Sequence, residues 1–95
     1  MSALVLTPER VEPWPTASFE ALAEADFERL RALDPEVVLL GTGARQRFPH
    51  PRLSRSLAEA RIGLEVMNTP AACRTYNILM AEGRKVVAAL LPESA

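Results

Sequence analysis

Residues able to do chemistry gather in two short stretches. The first is Gly41-Thr42-Gly43-Ala44-Arg45-Gln46-Arg47-Phe48-Pro49-His50-Pro51. Its exposed amides at Gly43 and Ala44, with the guanidinium groups of Arg45 and Arg47, are the components of a small anion-binding nest. Solvated loop arginines are the commoner alternative. The second stretch is Asn68-Thr69-Pro70-Ala71-Ala72-Cys73-Arg74-Thr75-Tyr76-Asn77. Thr69 before Pro70 has the form of an N-cap followed by a first helical residue. A helix start attracts anions and lowers the pKa of a nearby thiol. Cys73 is thus a candidate reactive thiol, with His50 as a base from the other loop. Against this, free cysteine usually behaves as a small buried hydrophobe. One cysteine and one histidine at unrelated positions are no signature of nucleophilic catalysis. Arg74, Tyr76 and Asn77 form a polar cluster in an alanine-rich helix, either holding adjoining loops by hydrogen bonds or lining a pocket edge.

The Gly-Thr-Gly turn invites comparison with the dinucleotide fingerprint. That motif needs a third glycine three residues on and a helix start aimed at the pyrophosphate. Here the position holds Gln46, a proline-containing loop follows, and no Walker lysine is present. A nucleotide site is therefore disfavoured. No carboxylate pair stands out for acid/base work, and no catalytic residue or cofactor is expected.

Two strands must position these stretches. Val37-Val38-Leu39-Leu40 is apolar without alternation, as in a strand buried on both faces of a parallel sheet. Leu64-Glu65-Val66-Met67 leads into the second stretch. Both sites then fall at carboxyl ends of strands, where ligands bind in open α/β sheets. Ala3 to Thr7 is a further strand, and Glu9 to Pro15 is held extended by Pro13 and Pro15, with Trp14 as an apolar anchor. The spacing of Phe19, Leu22, Phe27, Leu30 and Leu33 predicts a helix over Ser18 to Leu33, most regular from Glu24. Leu53 to Ala60 is a short helix with Gly63 as its C-cap. Ala71 to Glu82 is a third helix with Ala72, Tyr76, Leu79 and Met80 inward, ended by Gly83. Val86 to Leu91 is the last strand, and Pro92 to Ala95 a short tail. Strand, helix, strand, helix, strand from Val37 implies parallel pairing with right-handed crossovers. The fold expected is a single layered α/β domain over residues 1–95, with helices on the faces of the sheet.

Composition narrows the function. A formal net charge of −1 argues against a nucleic-acid binder or an acidic-membrane binder. One cysteine excludes an internal disulfide and a cysteine-based zinc site, and one histidine excludes a histidine cluster. No apolar stretch approaches the roughly 20 residues needed to span a bilayer. Met1 to Leu6 lacks a basic segment before its apolar run, so a cytoplasmic chain is expected.

The runs LLGTGARQRFPHP, IGLEVMNT and AACRTYNILMAEGRKVVAALL, in that order, resemble the family catalogued as domain of unknown function 498. Upstream, TPERVEPWP fits the same pattern. Members of that family include the mitochondrial respiratory complex I assembly factor 3 and the adipogenesis-associated domain proteins. The resemblance implies a three-layer α/β fold, a central mixed, mostly parallel sheet flanked by helices with a small additional β element, and no established enzymatic activity. It implies a protein partner, by analogy with respiratory-complex assembly. Departures from the family pattern fall at Asn68, where relatives often carry an acid, and at His50. The pattern also implies another β segment ahead of Leu4.

Two functions from different classes follow. One is a binding or assembly module whose edge comprises Gly41, Thr42, Gly43, Arg45, Arg47, Met67, Asn68, Thr69, Cys73, Arg74, Tyr76 and Asn77. The other is a small-molecule anion binder or enzyme at the same edge. A homodimer formed through an open sheet edge is a third, structural reading.

Overall fold

The computed structural model describes residues 3–16 and 18–93. The expectations for Met1, Ser2 and the last two residues of the tail lie outside these. Five strands form one mixed sheet in the order β2-β1-β5-β3-β4. They are β1 (Leu4–Leu6), β2 (Val11–Pro13), β3 (Val37–Thr42), β4 (Gly63–Met67) and β5 (Val86–Leu91). β3 pairs in parallel with both β4 and β5, while the β1–β2 hairpin joins β5 antiparallel. The helices are α1 (Glu24–Arg31), α2 (Arg55–Glu59) and α3 (Thr69–Ala81). This is the three-layer architecture expected, with β1–β2 as the additional β element.

Strand alternation sorts the apolar runs onto two faces. Val38, Leu40, Val87, Ala89 and Leu91 meet Phe27 and Leu30 of α1 and Leu57 of α2. Val37, Leu39, Val86, Ala88 and Leu90 meet Ala72 and Tyr76 of α3. Trp14 is buried in the first cluster, as an anchor should be. The connection from β3 to β4 carries α2 on one face, and that from β4 to β5 carries α3 on the other. Right-handed crossovers produce this when consecutive connections run in opposite directions. The reversal lies between β3 and β5, so their carboxyl ends, Thr42 and Leu91, flank the switch point.

Four local expectations are corrected. The helix over Ser18 to Leu33 is two pieces, a 3-10 turn at Phe19–Ala21 and α1. Ser18 Oγ accepts the Ala21 amide at 3.2 Å and Asp26 accepts the Ala23 amide at 2.9 Å, so two separate caps compete with one continuous helix. Gly63 opens β4 instead of capping α2, because its amide donates to Glu36 O at 3.1 Å and starts the β3–β4 ladder. The left-handed residue of that turn is Arg61, with φ 60°. Met80, expected inside, is exposed on α3. The N-cap of α3 is Asn68, one residue before Thr69.

Candidate functional site

The two chemistry-bearing stretches meet, but mainly to bond each other. Thr69 is the first residue of α3 and is buried. Its hydroxyl donates to Leu91 O at 2.6 Å and accepts the Gly43 amide at 2.9 Å. In return the Thr69 amide donates to Gly43 O at 2.8 Å. One side chain thus fastens the end of β3, the end of β5 and the start of α3 across the switch point. The adjoining Asn68 side chain accepts the Ala71 amide at 2.8 Å, which frees Thr69 from capping its own helix.

Gly41 explains how α3 comes so close. A Cβ there would lie 2.9 Å from Thr69 Oγ1 and 3.0 Å from both Thr69 Cα and Leu90 Cδ2. Only a residue without a side chain admits the helix start. Thr42 organises the following loop: its hydroxyl donates to Arg45 O at 2.6 Å and accepts the Arg47 amide at 3.0 Å. Met67 supplies a further acceptor, its carbonyl lying 3.2 Å from the same hydroxyl. Gly43 turns the chain with φ 94°.

These bonds engage part of the expected anion nest. The Gly43 amide is already donated to Thr69, and Arg47 points elsewhere. The Arg47 guanidinium pairs with Glu20 at 2.7 Å and lies 4.4 Å from the Phe19 ring centroid, pinning the loop to the 3-10 turn. The Glu20 carboxyl is held below its ordinary range, first by a backbone hydrogen bond in its own turn and then by Arg47. Of the expected nest, the side chain of Arg45 remains exposed.

The Cys73–His50 pairing gains no support either. Cys73 is half-buried against the α3-face core. His50 is exposed, and its Nδ1 accepts the Arg52 amide at 3.1 Å to cap the 3-10 turn Pro51–Ser54. Tyr76 is buried, and its phenol is pushed above the usual range, chiefly by burial and then by the charge of Glu9. Arg74 and Asn77 are exposed on α3. Exposed side chains near this end are Arg45 and, in the same loop, Phe48 at 71%, while Arg74 and Asn77 are exposed further along α3.

Two features escaped sequence reasoning. A cleft of about 320 Å³ opens at the amino end of β5, lined by Thr7, Pro8, Glu9, Arg10, Leu33, Lys85 and Val87. No motif marks it, since its residues come from three separated segments. The other is Gln46, whose Nε2 donates to Val66 O at 2.9 Å on β4. Among the described residues, no three His, Cys, Asp or Glu side chains are grouped to hold a metal ion. No helix among them is long and apolar enough to cross a membrane.

Comparison with known proteins agrees with this fold. A mouse (Mus musculus) protein named NADH dehydrogenase [ubiquinone] 1 alpha subcomplex assembly factor 3 is 38% identical over 93% of this chain and 49% of its own length. The chain thus spans about half the length of the curated relatives it matches. A crystal structure of a Bordetella parapertussis protein superposes with TM-score 0.90 at 45% identity, covering 96% of this chain and 79% of that one. A Bordetella pertussis solution structure described as a Mth938-like domain gives TM-score 0.86 at 36% identity, covering 97% and 74%. The family model for the protein of unknown function DUF498/DUF598 matches residues 1–91, and the chain belongs to that family.

Proposed function

We propose that this chain is an assembly-type module that works in the cytoplasm through contact with a protein partner. The contact edge is the loop after β3 together with the start of α3. The observation that carries the reading is the contrast within this edge. Its buried polar groups already have partners inside the protein, Thr69 with Gly43 and Leu91, and Thr42 with Arg45, Met67 and Arg47, while Arg45 and Phe48 in the loop and Arg74 and Asn77 on α3 are exposed. Arginine and aromatic side chains on a rigid frame are the usual anchors of protein contacts. The name of the similar mouse protein, an assembly factor, supports the same class. A small anion at this edge is less well supported, because two of the expected donors, the Gly43 amide and the Arg47 guanidinium, are already engaged.

The test is affinity purification of the tagged protein from its native cell, beside a double variant Arg45→Ala, Arg74→Ala. Both residues are exposed, so the variant should melt like the parent. Respiratory-complex subunits or assembly proteins recovered with the parent and lost from the variant are the expected result. An unchanged partner set would remove this edge from the reading. A thermal-shift screen with inorganic phosphate and small carboxylates addresses the alternative. A ligand at 100 times its dissociation constant adds about 2.7 kcal/mol, and no such shift is expected.

A further inference from the structure

We propose that the open edge of β4 takes an extended segment of a protein partner as an added strand, with a basic side chain set opposite Glu65. The proposal rests on the partner reading above and specifies a docking mode for it.

Among the described residues β4 pairs with β3 alone. The Gly63 amide donates inward to Glu36 O, so by strand alternation Gly63, Glu65 and Met67 turn their peptide groups toward β3. Leu64 and Val66 turn theirs outward. One of these outward groups is already engaged in a telling way. Val66 O accepts Gln46 Nε2 at 2.9 Å, a side-chain carboxamide placed where the backbone N–H of a neighbouring strand would donate. That contact is exposed and joins the sheet edge to the loop that also carries Phe48.

The opposite edge is built differently. β2 has only three residues, ends in Pro13, and carries an Arg10–Glu12 ion pair at 2.8 Å. Short length, proline and charge are the usual guards of an edge strand. β4 has five residues and no proline or lysine, so the added strand belongs there and not at β2.

Glu65 selects the occupant. It is exposed on the α3 face of β4. In the antiparallel self-pairing that overlaps all five residues, Glu65 would face its own copy as a close, non-hydrogen-bonded pair. Like charges directly opposite are destabilising and unlike charges favourable. A second copy is thus disfavoured in that register, and a segment with lysine or arginine at that position is favoured.

Two end-capped synthetic peptides test this, Thr-Val-Thr-Lys-Thr-Val-Thr and the same sequence with glutamate at its centre. Each is titrated into isotope-labelled protein while amide shifts and exchange rates are followed. The lysine peptide should slow exchange at Leu64 and Val66 and bind roughly fivefold tighter than the glutamate peptide. Glu65→Lys should invert that preference, and Gln46→Ala, which frees Val66 O, should tighten binding of the lysine peptide. Unchanged exchange at Leu64 and Val66 at millimolar lysine peptide would overturn the proposal, as would equal affinity for both peptides. So would concentration-dependent dimerisation of the parent that Glu65→Lys abolishes. In the purification assay, a partner lost with Arg45→Ala, Arg74→Ala but kept by Glu65→Lys would overturn the strand addition and leave the partner reading standing.

Discussion

The two ends of the parallel strands are tied by hydrogen bonds in opposite settings, short and buried at one end, longer and exposed at the other. At the carboxyl end, Thr69 closes β3, β5 and α3 onto one another through bonds of 2.6 to 2.9 Å among buried groups. At the amino end, Glu36 Oε1 accepts the Lys85 amide at 3.1 Å and Arg84 Nε at 3.4 Å, and both partners are exposed. Water competes for the second set and cannot reach the first. A buried donor or acceptor that loses its partner bears its full desolvation penalty, whereas an exposed one is re-solvated. The end of the sheet where α/β folds usually hold ligands is therefore the more tightly sealed of the two. The open cleft lies at the other end.

The sharpest way to break this contrast is Thr69→Val, which keeps the volume and deletes the hydroxyl. It leaves the Gly43 amide and one bond to Leu91 O unmet, and about 2–4 kcal/mol of stability should go, read from the denaturant midpoint. Thr69→Ser, which keeps the oxygen, should lose under about 1.5 kcal/mol. Gly41→Ala attacks the same joint by crowding, since its methyl group would meet the Thr69 backbone at 3.0 Å. A loss of about 1–3 kcal/mol is expected in the same assay.

A smaller effect concerns Tyr76, whose phenol is pushed above its ordinary value of 10.0, mainly by burial. The folded state holds this proton more tightly than the unfolded chain. Its contribution to stability is complete below pH 10.0 and declines as the pH rises through the higher folded value. Ultraviolet titration should show the phenolate appearing later than in denatured protein, and Tyr76→Phe should remove that step. Glu36→Gln should have the smallest effect. The Glu36 carboxyl sits below its ordinary value of 4.5, first through the Lys85 amide and then through Arg84. Its contribution is therefore present above pH 4.5 and fades as the pH falls through the lower folded value. Exposure keeps it small, so thermal melts of parent and variant at pH 7 should nearly coincide.

Much of the architecture was legible because its signals are local. Val37 to Leu40 and Val86 to Leu91 are apolar throughout, which suits strands covered on both faces, and the alternation from Val37 onward implies their parallel pairing. The Gly-Thr-Gly turn could be placed at a strand end. Its purpose could not, because Gly41 is required by Thr69, distant in sequence. Thr69-Pro70 looks like an N-cap and first residue, yet Asn68 performs the capping and releases Thr69 for a tertiary bond. Gly63 looks like a helix stop until the Glu36 carbonyl that its amide meets is known. Arg47 appears as an anion ligand in a sequence that cannot show Phe19 and Glu20 folded beneath it. The amino-end cleft draws on the β1–β2 turn, the end of α1 and the start of β5, and no spacing announces it.

The most direct test of the sealed carboxyl end is amide exchange at Gly43 in the parent and in Thr69→Val. The account predicts that Gly43, although in a loop, exchanges as slowly as the amides of Leu39 and Leu40 within β3. In the variant it should lose that protection selectively. A Gly43 amide that exchanges in the parent as fast as an exposed loop amide would contradict the account. It would reopen this end of the sheet to a small anionic ligand.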